Sequence, residues 1–199
     1  MRWGVVMADR LINTSGKDDW ATPPAVLAYA KRQVHRLGYR GFTLDAAAKA
    51  ATAVCSSWYG PDHPYEGRRD ALAVDWGSSV VWCNPPYSRA AGGLLRWCAK
   101  FDEASRLGAL VVALFFCRTE TRAWHRHVVN AAEVHLFEGR IRFVDPATGE
   151  PGAASAPAPS CLVIWTPSER GNWLESPRFV HVPRSALLAD ASQGGLVDA

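Results

Sequence analysis

Short runs rich in apolar residues recur along the chain at strand length, and the one over 109–116 is apolar throughout, as expected for a strand covered on both faces. The runs are 80–83, 109–116, 133–137 and 160–165. A shorter strand is predicted over 41–45, where the pattern finishes on Asp45, and an edge strand is predicted over 179–182. The apolar pattern therefore predicts a sheet of about six strands.

Between these runs, apolar residues return every three or four positions, as they do on one face of a helix. One helix begins at Pro23-Pro24, because proline suits the first helical turn, and ends at Gly38. The spacing over 94–101 marks a second helix, closed near Gly108, and 121–131 indicates a third. Strands that alternate with helices predict an open α/β sheet with helices on both faces.

Length and composition are those of one ordinary globular domain: 199 residues, 48% hydrophobic and 21% charged. We expect an N-terminal arm over 1–17, a main domain over 18–167, and a C-terminal extension over 168–199 that is partly disordered. No segment approaches the length of a membrane-spanning helix, and the apolar patch near the start is too short for a signal peptide. A cytoplasmic protein without membrane contact is therefore predicted.

Net charge, cysteines and histidines give little indication of function. The formal net charge of +3 permits nucleic-acid binding without requiring it. The five cysteines are widely spaced and form no C-x-x-C pair, which favours thiols in the core over disulfides or a zinc site. His125 and His127 have no accompanying cysteine or carboxylate trio, so no metal site is predicted.

Polar side chains lie at the ends of two predicted strands. Asp45 and Asn84 each follow an apolar run directly, and Asp75 lies just before the 80–83 run. Ligands of open α/β sheets bind at the carboxyl ends of strands, so these positions predict a binding site. Asp45 could also cap a helix that starts at Ala46, and the two roles are compatible.

The segment Asn84-Pro85-Pro86-Tyr87 carries the most specific chemistry. An aromatic amine is a poor nucleophile, because its lone pair is delocalised into the ring. Two acceptors, the Asn84 side-chain oxygen and the Pro85 carbonyl, could hold its N–H groups and turn the lone pair toward an electrophilic methyl group. The prolines would restrict the loop, and Tyr87 would stack on the base. The alternative is an ordinary turn after a strand.

Arginine, threonine and aromatic residues follow the 109–116 strand, on the same rim as Asn84. They suit phosphate contacts and base stacking, or else a solvated helix start capped by Thr119 or Thr121. The candidate DNA contacts here are Arg118, Thr119, Thr121, Arg122 and His125. Arg140 and Arg142 alternate with apolar residues, so both face one side of a strand or hairpin, toward DNA or toward solvent.

Several blocks together resemble the bacteriophage-type DNA N6-adenine methyltransferases, in the order of that family and over roughly 18–165. The blocks are 18–24, 42–48, 70–76, 82–88, 117–125, 139–143 and 159–164. The resemblance implies a Rossmann-like methyltransferase fold and transfer of a methyl group from S-adenosylmethionine to adenine N6. It also implies a protein of phage or prophage type in a bacterial host, with S-adenosylhomocysteine as the product.

The same resemblance implies roles for individual residues. Asn84 to Tyr87 match the catalytic loop. The cofactor's methionine part would meet the N-terminal block, its ammonium group would lie near Asp45, and its adenine would lie near Asp75. The implied cofactor residues are Trp20, Thr22, Pro23, Asp45, Ala46, Asp70, Leu72, Asp75 and Trp76.

Two features depart from the family pattern. Ala46-Ala47-Ala48 stands where methyltransferases commonly have a glycine-rich turn, so the cofactor loop must be shaped differently. The second strand, which normally ends on a ribose-binding acid, has no clear equivalent and is expected to be abbreviated. Asp62, Glu66 and Asp70 are the candidates for that acid, and Asp70 is favoured.

Other acceptors and functions stay open on sequence alone. Glutamine N5-methyltransferases share the tetrapeptide, cytosine N4 is a further possible acceptor, and a catalytically silent DNA-binding protein that masks sites is a third alternative. The N-terminal block and the arginine-rich rim favour DNA, with adenine flipped out of a duplex. The chain has little room for a separate recognition domain, so recognition is expected to be short or loose, or supplied by a homodimer partner.

Overall fold

The computed structural model describes residues 21–87, 93–152, 155–167 and 177–187. The predicted arm over 1–17, the cofactor candidate Trp20 and the chain after 187 lie outside these ranges.

Six strands form one mixed sheet in the order β1-β2-β3-β5-β4-β6. They are β1 (Leu44–Asp45), β2 (Val80–Cys83), β3 (Leu110–Phe116), β4 (Glu133–Phe137), β5 (Ser160–Trp165) and β6 (Arg178–Val182). The predicted strands are confirmed, although β1 has only two residues. β6 falls within the predicted C-terminal extension, so part of that segment belongs to the sheet. β5 runs antiparallel to both of its neighbours, β3 and β4, and the other neighbouring strands are parallel.

Helices cover both faces of the sheet, as predicted. α1 (Pro24–Arg36) packs on one face, against β2, β3 and β5. α2 (Gly93–Arg106) and α3 (Arg122–Arg126) pack on the other. The central strand β3 is buried at all seven positions, because it has a layer on each side. None of the helices in the described ranges combines the length and apolar character needed to cross a bilayer.

The third helix is shorter than the predicted 121–131. It ends at Arg126, and only a single 3₁₀ turn, Val128–Asn130, follows. His127 leaves helical geometry between them: its ring bonds Asp102 of α2, and its carbonyl accepts the Trp165 indole N–H at 3.1 Å. These contacts with α2 and β5 replace the continuation of the helix.

A single bridge takes the place of the expected second strand beside β1. Asp45 pairs in parallel with Trp58, the Asp45 N–H donates to the Ser57 carbonyl, and the Tyr59 N–H donates to the Asp45 carbonyl. The Ala48 N–H then donates to the Tyr59 carbonyl. The second-strand region is therefore abbreviated, as predicted, to the segment 57–59.

A partly buried ionic network ties α1 to β4 and β6, at one edge of the sheet. The Glu133 carboxylate on β4 accepts hydrogen bonds from Arg36 on α1 and Arg178 on β6. It also bonds His135 Nε2, while His135 Nδ1 bonds the Tyr29 hydroxyl. Because Glu133 is ionised, we assign the ring proton of His135 to Nε2, so that Tyr29 donates to Nδ1. Burial alone would raise the pKa of Glu133, but its hydrogen bonds with His135, Arg178 and Arg36 lower it to about 2.

Candidate active site

The carboxyl ends of β1 and β2 open into a cavity of about 800 Å³. The two strands run in parallel, and Asp45 lies opposite Trp82, two residues before Asn84. Asp45 and Asn84 both line the cavity. The acid and the amide therefore lie at one site, as expected for residues at the carboxyl ends of neighbouring parallel strands.

Seven of the predicted cofactor and catalytic residues line this cavity. They are Thr22, Asp45, Ala46, Asp70, Leu72, Asn84 and Pro86. They come from distant parts of the chain: the start of α1, the ends of β1 and β2, and the turn before β2. Sequence reasoning therefore brought together residues that the fold also brings together.

Five other predicted residues do not line it. Pro23 precedes α1, and its carbonyl accepts the first helical N–H groups. Trp76 is buried in the core and donates its indole N–H to the Ala71 carbonyl. Asp75 is exposed and accepts the Gly77 N–H. The remaining two, Pro85 and Tyr87, are chain neighbours of the lining residues Asn84 and Pro86. The roles of all five stay predictions.

Asp45 is buried, with 3% of its surface exposed, and its carboxylate faces backbone donors. One oxygen accepts the Ala47 N–H at 3.3 Å, and the other accepts the Val54 N–H at 3.1 Å. No helix starts at Ala46, so the expectation that Asp45 caps a helix is wrong: it caps a turn instead. Burial raises the pKa of the Asp45 carboxyl to about 6, against the lowering effect of the Val54 and Ala47 hydrogen bonds.

Tyr87 is stacked on Phe116, the last residue of β3. The ring centroids are 4.1 Å apart and the planes differ by 10°. The Tyr87 hydroxyl also approaches the Asn84 side-chain oxygen, at a long 3.5 Å. Burial raises the pKa of the Tyr87 phenol above its usual range, so the hydroxyl stays protonated at neutral pH and cannot serve as a base. Phe116 thus covers one face of the tyrosine ring.

Among the candidate ribose acids, Asp70 alone lines the cavity. One oxygen of Asp70 accepts the Leu72 N–H at 3.0 Å and so caps the 3₁₀ turn Ala71–Ala73. Asp62 accepts the Ala50 N–H, and Glu66 is exposed in the turn Glu66–Arg68. The geometry therefore agrees with the preference for Asp70.

The arginine-rich rim follows β3, as expected, but lies outside the cavity lining. Thr121 caps α3 by accepting the Trp124 N–H, and its own hydroxyl donates to the Arg118 carbonyl. Of the candidate DNA contacts in this segment, those exposed to solvent are Thr119, Arg122 and His125. The capping alternative is thus confirmed for Thr121, and DNA contact by the rim stays a prediction.

Arg140 and Arg142 are exposed and alternate with the buried Ile141 and Phe143, as predicted. The Arg140 guanidinium donates to the Ala156 carbonyl at 2.9 Å. The same extended segment pairs through Val144 with Ala21 and with Pro151. It continues to Pro146 and Ala147, which line the cavity, so both arginines lie on a hairpin that forms part of the cavity wall.

Sequence reasoning missed several residues of the cavity wall. They are Lys49, Tyr59, Gly60, Arg69, Trp82, Arg96 and Trp97. Tyr59 and Gly60 belong to a segment interpreted as loop, and the pairing of this segment with β1 depends on the assembled fold. Arg96 and Trp97 lie on α2, which follows the segment 84–87, and helical spacing alone suggested core packing there.

In the described ranges, no group of three or more histidine, cysteine or acidic side chains is arranged to hold a metal ion. All five cysteines are free, and Cys83, Cys98 and Cys161 are buried in the core.

The open sheet with helices on both faces, together with a cavity at the ends of β1 and β2, is that of a Rossmann-like methyltransferase. The family model for DNA N-6-adenine-methyltransferase (Dam) matches residues 11–193, and the chain therefore belongs to this family. As a member, it is an enzyme that methylates the N6 amine of adenine in DNA.

Two phage proteins named DNA N-6-adenine-methyltransferase are similar to the chain. The one from Haemophilus phage HP1 (strain HP1c1) is 29% identical over 154 residues, which cover 77% of this chain and 81% of the relative. The one from Escherichia phage T1 is 27% identical over 151 residues, which cover 67% of this chain and 57% of that relative. No solved structure matches the chain significantly.

Proposed function

We propose that this chain transfers the methyl group of S-adenosylmethionine to the N6 amine of an adenine flipped out of double-stranded DNA. One observation carries the proposal: the buried carboxylate of Asp45 and the amide of Asn84 line one cavity at the ends of neighbouring parallel strands. An acid that would attract a cationic cofactor thus lines the same cavity as an amide that would accept hydrogen bonds from an amine.

The cavity fits the proposed cofactor in size and in chemistry. Its volume of about 800 Å³ lies in the range of pockets that hold ligands of this size. Ala46, Ala47, Ala48 and Ala51 supply an apolar wall. Asp45 supplies a buried negative charge, and within the described ranges its carboxylate accepts hydrogen bonds from backbone N–H groups and from no cationic side chain. S-adenosylmethionine is cationic, so it would complement this charge.

When bound, the cofactor supplies the electrophilic methyl group. The chain's own task is to hold the amine. The Asn84 side-chain oxygen and the Pro85 carbonyl would accept the two N6 hydrogens, which turns the nitrogen lone pair out of conjugation with the ring. Pro85 and Pro86 restrict the loop, so both acceptors stay aimed. A strong general base is unnecessary, because the methylated amine is acidic enough to lose its proton afterwards.

Phe116 limits how a flipped base can be held. Because it covers one face of Tyr87, only the opposite face of that ring is left for the adenine. Phe116 is fixed in turn by β3, which is paired on both sides with β2 and β5. The stack would therefore hold the tyrosine ring in one orientation before DNA arrives.

Cofactor affinity is expected to fall in acid because of Asp45. A raised pKa means that the free protein protonates Asp45 below about pH 6, whereas the cationic cofactor needs the ionised form. The Kd for S-adenosylmethionine should therefore rise about tenfold between pH 7 and pH 5. Isothermal titration calorimetry at a series of pH values measures it.

Two matched variants test whether the pH dependence of the Kd comes from Asp45 or from another acid. Asp45→Asn should bind weakly at every pH and lose the pH dependence, whereas Glu66→Gln, an exposed acid outside the cavity lining, should keep the wild-type profile. A wild-type Kd that stays flat from pH 7 to pH 5 would sink the role given to Asp45.

Replacing Phe116 by leucine should weaken DNA methylation without weakening cofactor binding. The change keeps an apolar side chain but removes an aromatic stack worth about 1 kcal/mol, so kcat/KM for DNA should fall about three- to tenfold. The Kd for S-adenosylmethionine should not change, because Phe116 does not line the cavity. Steady-state kinetics on unmethylated DNA and calorimetry measure the two quantities.

Phe179→Leu is the matched control, since Phe179 is 51% exposed on the edge strand β6. It should leave both quantities unchanged. Equal losses of cofactor affinity and DNA kinetics in Phe116→Leu would show that the residue supports the fold in general and not the stack.

The proposal extends to the contacts with DNA and to the assembly of the protein. Arg122 and His125 on the rim, and Arg142 on the hairpin, would contact the phosphate backbone, which fixes register without reading sequence. Recognition would be short, or completed by a second copy of the chain in a homodimer. Light scattering with and without DNA, and mapping of the methylated positions, test these points.

A further inference from the structure

We propose that Gly60 is a positioning residue for the cofactor turn, which consists of Ala46, Ala47 and Ala48. This turn contains no glycine, so Gly60 would provide from outside it the space that a glycine inside the turn would otherwise provide. The inference rests on the proposed cofactor and concerns a segment that sequence patterns alone describe as loop. It accounts for a cofactor turn built from Ala46, Ala47 and Ala48.

The turn is held from both sides by backbone hydrogen bonds. On one side, the Ala46 N–H donates to the Trp82 carbonyl of β2 at 2.9 Å. On the other side, the Ala48 N–H donates to the Tyr59 carbonyl at 2.9 Å. The turn thus lies between β2 and the segment 57–60, and its position depends on how closely that segment approaches.

Gly60 permits this approach because it has no side chain. A Cβ added to Gly60 would overlap the Ala48 carbonyl oxygen and lie 2.9 Å from the carbonyl carbon, and both atoms belong to backbone. Backbone atoms cannot swing aside as the end of a flexible side chain can. The glycine is itself anchored, since its N–H donates to the Arg68 carbonyl and its carbonyl accepts the His63 N–H.

The crowded atoms belong to the cavity wall. Ala48, Tyr59 and Gly60 all line the cavity, and so does Asp45, whose backbone is bonded to the same segment. Any side chain at position 60 would therefore push apart the turn and the segment that together face the cofactor. Gly60 acts through Ala48 and not by chemistry of its own.

The test compares Gly60→Ala with Gly67→Ala in the full chain. Gly67 lies in the same loop and has nothing within 4 Å of an added Cβ, so its substitution should leave cofactor binding unchanged. Gly60→Ala should raise the Kd for S-adenosylmethionine and S-adenosylhomocysteine at least about tenfold. Its kcat at saturating cofactor, on unmethylated plasmid DNA, should stay within about threefold of wild type, because Asn84 and Tyr87 are untouched.

A folded Gly60→Ala variant with wild-type cofactor affinity would overturn the proposal, as would one that loses kcat and keeps its affinity. If that variant does not fold, hydrogen exchange of the wild type decides. Binding of S-adenosylhomocysteine should slow exchange over 46–48 and 57–60 together, and no protection of 57–60 would overturn it. A wild type that binds neither molecule would instead refute the proposed cofactor.

Discussion

Replacing Asn84 by alanine is expected to lower turnover by about two to three orders of magnitude while leaving the Kd for S-adenosylmethionine within about twofold of wild type. The amide oxygen is one of two acceptors proposed for the N6 hydrogens, so its loss removes an interaction needed during transfer. Asn84 is half-buried at the end of β2, and alanine fits there without adding volume. Single-turnover kinetics with saturating cofactor and DNA measure the effect.

Ser78→Ala serves as the control for this variant, because Ser78 is exposed at the opposite end of β2. It should behave as wild type in both measurements. Parallel losses of turnover and cofactor affinity in Asn84→Ala would point to a misplaced loop and would refute a role confined to the amine.

The second large effect concerns stability. Glu133→Gln is expected to lower the free energy of unfolding by about 2 kcal/mol at pH 7, because it removes the charge that holds Arg36, Arg178 and His135 together, while solvent screens the two half-exposed arginines. The folded pKa of Glu133, about 2, lies below the ordinary value of 4.5. The stabilisation is therefore fully present above pH 4.5 and is lost as the pH falls toward 2.

Urea unfolding at pH 7 and pH 3 measures both parts of this prediction. The difference between wild type and Glu133→Gln should shrink to less than half at pH 3. Glu103→Gln is the matched control, since Glu103 is 60% exposed and, among the described residues, forms an ion pair with Lys100 alone, and it should change stability by less than about 0.5 kcal/mol. A difference for Glu133→Gln that does not depend on pH would exclude the ionised network as its cause.

The apolar runs predicted the strands well, because a strand covered on both faces leaves a continuous signal. The antiparallel direction of β5 was not predicted. Strand direction depends on the path of the connection, and the described residues of the connection between β4 and β5, 138–152 and 155–159, contain no helix. Consecutive parallel strands are usually joined by a crossover helix, so the lack of a helical pattern between these two strands was the usable signal. The length of α3 depended on contacts of His127 with distant elements, which periodicity cannot show.

The candidate site was likewise predicted only in part from the sequence. Asp45 and Asn84 were predicted because polar residues at strand ends meet at one edge of a sheet. Trp82 and Gly60 reach the same cavity through strand register and close backbone approach, which depend on the assembled fold. The Glu133 network was likewise invisible, since its members are spread over α1, β4 and β6 and are paired only by the order of the strands.

Nucleoside analysis of DNA decides whether this chain methylates adenine N6 and whether the reaction needs Asn84. The purified chain is incubated with methyl-labelled S-adenosylmethionine and unmethylated duplex DNA, and the digested nucleosides are separated, with Asn84→Ala in parallel. We expect label in N6-methyladenine for the wild type and almost none for the variant. Label in protein or in N4-methylcytosine would refute adenine N6 as the acceptor, and equal N6-methyladenine from both chains would refute the role of Asn84.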